Sequence, residues 1–481
     1  MESRSPDGKS RPDQPLRRCQ WTLNMILFSY CFAAAAMLAA ALYLIFRLRL
    51  FVATSTMLLG GLLLVYGPAF LSYTLSSGEQ YFLIKLFSGA FVGPHPIFSI
   101  ITSKLGDIHP VIIAMNLSIG LMYVSIIAGM ELRSQVAPAQ LVVVEKALSD
   151  WKSHKLEGEL RDLRFFGIII LGLASFMIFI SWKEDHLRTI SDYFSIKDQL
   201  ARTAFRSHGG SPDYLYRVIL SAVAPIFVVW GGITAILRKS WLLATSTCLL
   251  VAATMLGNVA TLSKAPPAFF VLQIATAIFL VFTNRLSWKL LFIGAVCIFF
   301  VINATMSLMM VFPDASSAFS AAYSRVFEAE NQSLFENFAT FPQIYPHMWG
   351  TNIRPIAILT GEPYTPAYRI VARLWYGTDE VTSPSLFIAD AWADFSYLGV
   401  IVFSFIAGIV CRSLDLTFLA LGKSPLTIAM LSAAVFGILT LLTTALGTAL
   451  LSGGLLLAPM LALAVLAADH LIFDRLNTRS S

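Results

Sequence analysis

Charge is scarce in this sequence. Only 13% of its 481 residues are Asp, Glu, Lys or Arg, against about 25% in soluble domains. With 57% hydrophobic residues and a mean hydropathy of +0.72, a set of soluble domains is excluded and a polytopic helical membrane protein is expected. Cysteine usage is uninformative. Cys19, Cys31, Cys248, Cys297 and Cys411 show no paired spacing, so neither a disulfide framework nor a CxxC metal site is expected. No P-loop, no HExxH and no GxGxxG leading a nucleotide domain is present, which argues against a nucleotide-driven pump. The net charge of +6 is modest and no dense Lys/Arg run is interleaved with aromatics. That speaks against nucleic acid and fits loops near anionic lipid. An internal repeat, common in transporters, is not discernible.

Long apolar runs are what the chain does contain. A span needs about 20 residues, and runs of that kind lie near 22–46, 51–74, 110–130, 165–182, 217–237, 241–262, 267–283, 288–311, 397–419, 425–445 and 448–470. The polar, proline-containing start, 1–20, is unlike a signal-peptide n-region, so the 22–46 run is expected to be a retained helix. A twelfth candidate, 83–103, carries Lys85, Pro94, His95 and Pro96 and suits a broken or re-entrant segment. The expectation is an all-α membrane protein of about 11–12 spans: a tail 1–20, then one membrane domain, 21–481.

Lys and Arg favour the cytoplasmic face. If 83–103 crosses, the tail, the 131–164 loop, Arg238, Lys239, Arg285, Lys289, Arg412, Lys423, Arg475 and Arg479 gather on one side. Twelve crossings with both termini inside are therefore expected. Arg47 and Arg49 then fall on the wrong face. The 131–164 loop mixes both signs and reads as a solvated helix. The loops 183–216 and 312–396 are external, and the second is expected to contain short helices.

That large loop is the one long stretch that is neither lipid-soluble nor low in complexity. Within 316–338, Phe319, Tyr323, Phe327, Leu334 and Phe338 share a helical face, while Arg325, Glu328, Asn331 and Gln332 lie off it. The stripe fits an amphipathic helix lying on the membrane surface. Its other face offers Arg325 and Glu328 to a cavity. Arg325, Arg354, Arg369 and Arg373 stand among Tyr364, Tyr368, Trp375 and Tyr376. Guanidinium forks suit phosphate oxygens, although pairing with Glu328, Glu336, Asp379 and Glu380 would equally account for them. Arg369 and Arg373 are four apart behind Thr365-Pro366, as on one helix face. Arg217 and Lys264, at outer ends of spans, either reach the same anion or snorkel to headgroups. Asp390 and Asp394 are also four apart, at the mouth of a span. They suit a general base or a helix-start charge pair. His347, alone in the loop, suits acid–base work or simple packing.

The segment ADAWADFSYLGV, 389–400, following a late arginine-bearing external loop on a dozen or so spans, resembles the Wzy-type O-antigen and oligosaccharide repeat-unit polymerases. Asp394 stands where relatives often carry Asn, and Tyr397-Leu398-Gly399 where they have a Gly-rich turn. The resemblance implies a GT-C-like, metal-independent and cofactor-free glycosyltransferase of the bacterial inner membrane, with 131–164 cytoplasmic and 183–216 and 312–396 periplasmic. It would join undecaprenyl-pyrophosphate-linked glycan donor and acceptor into lipopolysaccharide or exopolysaccharide, alongside a chain-length regulator and a flippase. Arg325 and Arg373 become pyrophosphate ligands, with Arg217, Lys264, Arg354 and Arg369 as helpers. Glu328, His347, Asp390 or Asp394 supplies the base or orients the acceptor. Three other readings stay open: an O-antigen-ligase-like transferase, a transporter or flippase of lipid-linked oligosaccharide, and a non-catalytic assembly subunit. A transporter would call for ionisable residues at mid-span and broken helices in matched halves.

Overall fold

A computed structural model describes residues 14–67, 96–149, 151, 156, 158–198, 201, 205, 214–263, 265–283, 286, 289, 292–294, 296–297, 299–300, 329–377 and 385–480. Among these the secondary structure is entirely helical. Seven helices are long and apolar enough to cross a bilayer: Thr22–Arg47, His109–Val136, Leu163–Lys183, Tyr214–Arg238, Trp241–Ala260, Phe387–Leu421 and Pro425–Thr443. The chain is a multi-pass helical membrane protein.

The helices are α1 (Gln14–Leu42, continued by a π turn to Arg47), α2 (Thr54–Val65), α3 (Pro96–Leu105), α4 (His109–Val136), α5 (Pro138–Ser149), α6 (Leu163–Lys183) and α7 (His186–Ser195). There follow α8 (Tyr214–Val218), α9 (Ala224–Arg238), α10 (Trp241–Ala260), α11 (Ala265–Phe282), α12 (Ala329–Thr340), α13 (Arg354–Thr360) and α14 (Ala367–Tyr376). The last are α15 (Phe387–Phe418), α16 (Pro425–Thr443), α17 (Leu446–Leu450) and α18 (Leu457–Ser480).

Glycine sets the closest packing. Gly129 of α4 lies against the Phe405 carbonyl of α15, and Gly408 of α15 against the Ile126 carbonyl of α4, so a Cβ at either position would collide with backbone. Van der Waals contact through small residues is the main attraction available between helices in lipid.

Polar side chains gather at one end of the bundle. Tyr43 and Arg47 donate to Glu131 at 2.8 and 3.0 Å. Arg412 donates to Ser134 at 2.8 Å and Arg133 to Ser413 at 3.0 Å. Asp415 accepts the first two amides of α2, from Thr54 and Ser55, at 2.7 and 3.0 Å. Asp469 accepts the Arg161 and Asp162 amides at 2.7 and 2.8 Å. The Asp415 and Asp469 carboxylates satisfy backbone amides at a helix start and in a loop, groups that need a partner where water is excluded.

This arrangement corrects the expected topology. Asn116 donates to Ser29 at 3.4 Å near one end of α4, and Tyr43 reaches Glu131 near the other. So α1 runs parallel to α4, and Arg47 belongs with Glu131 rather than on the opposite face. Arg47 thus stands at the same end of the bundle as the start of the 131–164 segment, where it pairs with Glu131. The described start of α1 lies at the other end. Most of the 83–103 candidate, residues 83–95, lies outside the described residues; its remainder belongs to α3, whose Lys104 donates to the Leu374 carbonyl of α14 at 2.9 Å.

Three further expectations change. The 448–470 run is two helices, α17 and α18, because Gly454 turns with φ +76° and Gly453 lies against the Ala449 backbone. The 131–164 segment is not a freely solvated helix. Pro138 starts α5, and Val144, Ala147, Leu148 and Trp151 are buried. Finally, α12 does not lie on the surface: Glu330, Asn331, Ser333, Leu334, Phe335, Glu336, Asn337 and Phe338 are all buried.

The depth of α12 has a physical cause. At 12 residues, about 18 Å, α2 is too short to span and leaves carbonyls inside the bundle. Asn331 donates to the Val65 carbonyl at 3.2 Å, and Tyr123, midway along α4, donates to the Tyr66 carbonyl at 3.3 Å. Non-helical backbone at that depth persists only where protein groups satisfy it.

Candidate functional site

The start of α15 organises the site. Its first turns carry Asp390 and Asp394 one above the other, as their spacing implies. The helix then breaks. Phe395 has φ −130° and ψ 17°, and Ser396 has φ 56° and ψ −145°. Gly399 permits the break, since a Cβ there would strike the Ala391 carbonyl. The YLG of the sequence, 397–399, thus follows directly on the kink at Phe395 and Ser396. Positive φ on a serine is costly, and such strain collects at functional sites.

Two aromatic contacts hold this kinked start. Trp392 donates its indole N–H to the Phe341 carbonyl at 2.7 Å and stacks on Phe338 of α12 with centroids 4.6 Å apart. Tyr397 meets the same indole edge-on at 4.9 Å.

The turn 347–352 wraps around Asp394. Trp349 and Gly350 have φ +50° and +97°. Glycine is needed at 350 because a Cβ would also press on Ile356. This conformation aims successive amides inward, as in an anion-binding nest. Asp394 Oδ1 accepts from the Gly350 amide at 2.9 Å and the Asn352 amide at 3.4 Å. Its backbone carbonyl accepts from Trp349 at 3.0 Å, and that of Ala393 from Met348 at 2.9 Å. Asp394 is 0% exposed, and among the described residues its Oδ2 has no hydrogen-bond partner.

Asn352 joins this turn to everything else. Its Nδ2 donates to Asp390 Oδ1 at 2.7 Å. Its Oδ1 accepts the Ala367 amide at 2.8 Å, at the first residue of α14. One side chain thus fixes the carboxylate and the helix that bears Arg369 and Arg373. Asp390 is only half-buried.

The arginines sort into described and undescribed. Arg369 and Arg373 lie on the exposed face of α14, while Val371 and Ala372 are buried. Arg354 opens α13 and is exposed. Tyr364 reports their proximity. Burial raises its hydroxyl pKa above the ordinary tyrosine value, Tyr368 and Asp390 add to the rise, and Arg369 and Arg354 oppose it. Tyr368, Asp390, Arg369 and Arg354 each act on the Tyr364 hydroxyl. Arg325, Glu328 and Lys264 lie outside the described residues. Arg217 is exposed on α8, whose neighbour Ser221 is tied to the Ser452 carbonyl at 2.7 Å. No described contact brings Arg217 to Asp390.

His347 is half-buried, meets Trp392 edge-on at 5.5 Å and places Nδ1 3.4 Å from the Ala393 carbonyl. These are packing contacts for the turn, one residue from the Asp394 backbone.

A second polar cluster lies behind the first. Glu336, fully buried, accepts from Gln332 and from the Tyr376 hydroxyl, both at 2.8 Å. Trp375 donates to Thr340 at 3.0 Å. Lys104 donates to the Leu374 carbonyl at 2.9 Å and stands 4.9 Å from the Trp375 ring centre. These bonds lock α14 onto α12 and α3. Sequence reasoning missed Asn352 and Glu336 as organising residues. The only local signal for Asn352 was its place in GTNIRP, between a glycine and a proline.

No family model, curated protein or solved structure matches this chain.

Proposed function

We propose that this chain is a membrane glycosyltransferase that polymerises lipid-linked oligosaccharide repeat units, carried on undecaprenyl pyrophosphate, into a surface polysaccharide. The supporting observation is the Asn352 junction. It ties a partly accessible carboxylate, Asp390, to the start of the helix that bears Arg369, and it stands two residues from the exposed Arg354. A carboxylate near guanidinium groups suits transfer from a diphosphate donor.

In this reading Asp390 accepts the proton of an acceptor sugar hydroxyl. That oxygen bonds to the anomeric carbon of the donor glycan. The bond from the anomeric carbon to the diphosphate oxygen breaks, and the lipid diphosphate leaves with the electron pair. Arginines neutralise the charge gathering on it. Arg354, Arg369 and Arg373 are the described candidates, and Arg325 a further one. Asp394 holds the turn, since its Oδ1 is occupied by backbone amides. Transfer of finished polymer to another acceptor would use the same donor groups.

The test is a gel of surface polysaccharide. Deletion of the gene should leave single repeat units in place of a ladder; full-length polymer retained on its lipid carrier would indicate a ligase, and internal accumulation of the lipid-linked unit a flippase. Arg325→Ala and Arg373→Ala should each abolish polymer at unchanged protein level, with lysine a poor substitute because the bidentate fork is lost. Wild-type ladders from both alanine variants would sink the diphosphate proposal.

A further inference from the structure

The short helix α13 shows an apolar face that no described part of the protein covers. Leu359 is 85% and Ile358 70% exposed, and Trp349 in the preceding turn is 69% exposed. Arg354 and Pro355, one helical turn earlier, are exposed on the same side as Ile358 and Leu359. Ala357 is buried on the other. Tyr345 and Ile344 add to the surface. Large apolar side chains collected outside the long spans require an occupant.

The surrounding helices indicate which occupant. Trp349 meets Phe395 at 6.3 Å, and Phe395 meets Phe403 at 6.3 Å. Leu398 and Val402, beside them on α15, are exposed in the way of lipid-facing residues. The α13 surface therefore continues the apolar stripe of a spanning helix. Depth agrees. From Arg412, at the charged end, to Phe395 is 17 residues along α15, roughly 25 Å of rise. The hydrocarbon layer is about 30 Å thick, so Trp349 stands near its far boundary, where tryptophan and tyrosine concentrate.

We propose that α13 and the 344–349 turn lie in the lipid interface at the large-loop end of the bundle. Ile358 and Leu359 enter the acyl chains, and Arg354 stands at the level of the lipid phosphates. The charge complements the headgroups as the apolar face complements the tails. Arg354 is two residues from Asn352, so a lipid phosphate drawn to it arrives beside the Asp390 site. The placement does not depend on the transfer reaction.

The test uses the full chain in lipid nanodiscs containing phosphatidylglycerol. Native cysteines are replaced, and Ile358→Cys or Leu359→Cys is labelled with an environment-sensitive fluorophore. Leu398→Cys serves as the lipid-facing control. The expected result is blue-shifted emission, loss of intensity with lipids bearing a nitroxide near the headgroup, and protection from aqueous iodide. Iodide quenching with unshifted emission would overturn the proposal in favour of a solvated helix. Blue-shifted emission that neither lipid nitroxide nor iodide quenches would overturn it in favour of a protein contact. If the cysteine-free background does not fold, tryptophan quenching by brominated lipid reads the same question. Its quenched share should fall in Trp349→Phe, and an unchanged share would refute the placement.

Discussion

Replacing Asp394 by alanine or by asparagine separates two roles for that carboxylate. Its Oδ1 accepts the Gly350 amide at 2.9 Å and the Asn352 amide, more weakly, at 3.4 Å. Alanine leaves both donors without that partner in a site where Asp394 itself is 0% exposed. A buried donor left unpaired costs about 1–3 kcal/mol. The second bond is long and counts for less, so the loss should be on the order of 2–4 kcal/mol. Asparagine keeps an oxygen where Oδ1 stands. Its NH2 replaces Oδ2, which has no hydrogen-bond partner among the described residues, and no buried charge remains. Asp394→Asn should therefore stay within about 1 kcal/mol of wild type. Thermal unfolding of the purified protein in nanodiscs measures the difference, and a polysaccharide ladder reads the proposed transfer activity. Alanine should lower both, whereas asparagine should preserve both. An asparagine variant as stable as wild type yet as inactive as alanine would refute the positioning role and assign the carboxylate to the chemistry.

Other outcomes follow from single contacts. Gly408→Leu should force α4 and α15 apart, with a loss of about 1–3 kcal/mol typical of overpacking; unchanged thermal stability would show that the helices do not meet there. Asp415→Ala removes the partner of the Thr54 and Ser55 amides and should loosen α2, read as faster hydrogen exchange at those two amides; unchanged exchange would refute the cap. His186 lies at the α7 start, with Nδ1 3.1 Å from Ser181 Oγ, which in turn is 3.1 Å from the Tyr216 hydroxyl. Burial holds the His186 pKa below the ordinary histidine value, so between the folded and unfolded values the unfolded chain binds more protons. The contribution is then complete above about pH 6.5 and lost as pH falls through the folded value. The change in melting temperature between about pH 7.5 and about pH 5.5 should shrink in His186→Gln, and an equal change in both proteins would refute the assignment.

How much of this was legible beforehand varies by element. Apolar run length identified the spans at Thr22–Arg47, His109–Val136 and Trp241–Ala260, because lipid solubility is a local property of composition. Run length failed at 448–470, where Gly453 and Gly454 break the helix without lowering hydropathy. Helical spacing correctly paired Asp390 with Asp394 and Arg369 with Arg373, each pair lying on one helix. It misjudged 329–338, the described part of the 316–338 stripe; Phe319, Tyr323 and Phe327 lie outside the described residues. An apolar stripe reports that one face packs, and cannot report that Glu336 on another face is buried too.

The sequence by itself determined that this is a multi-pass helical protein whose polar chemistry is concentrated late in the chain. Those properties follow from residue types and short periods. Only the tertiary structure decided that Arg47 pairs with Glu131, that α12 enters the bundle to satisfy the open end of α2, and that Asn352 ties Asp390 to the arginine-bearing helix. Each depends on residues dozens to hundreds of positions apart meeting in space. A buried polar group must find a partner, and the partner's place in the chain is set by the fold, not by its neighbours in sequence.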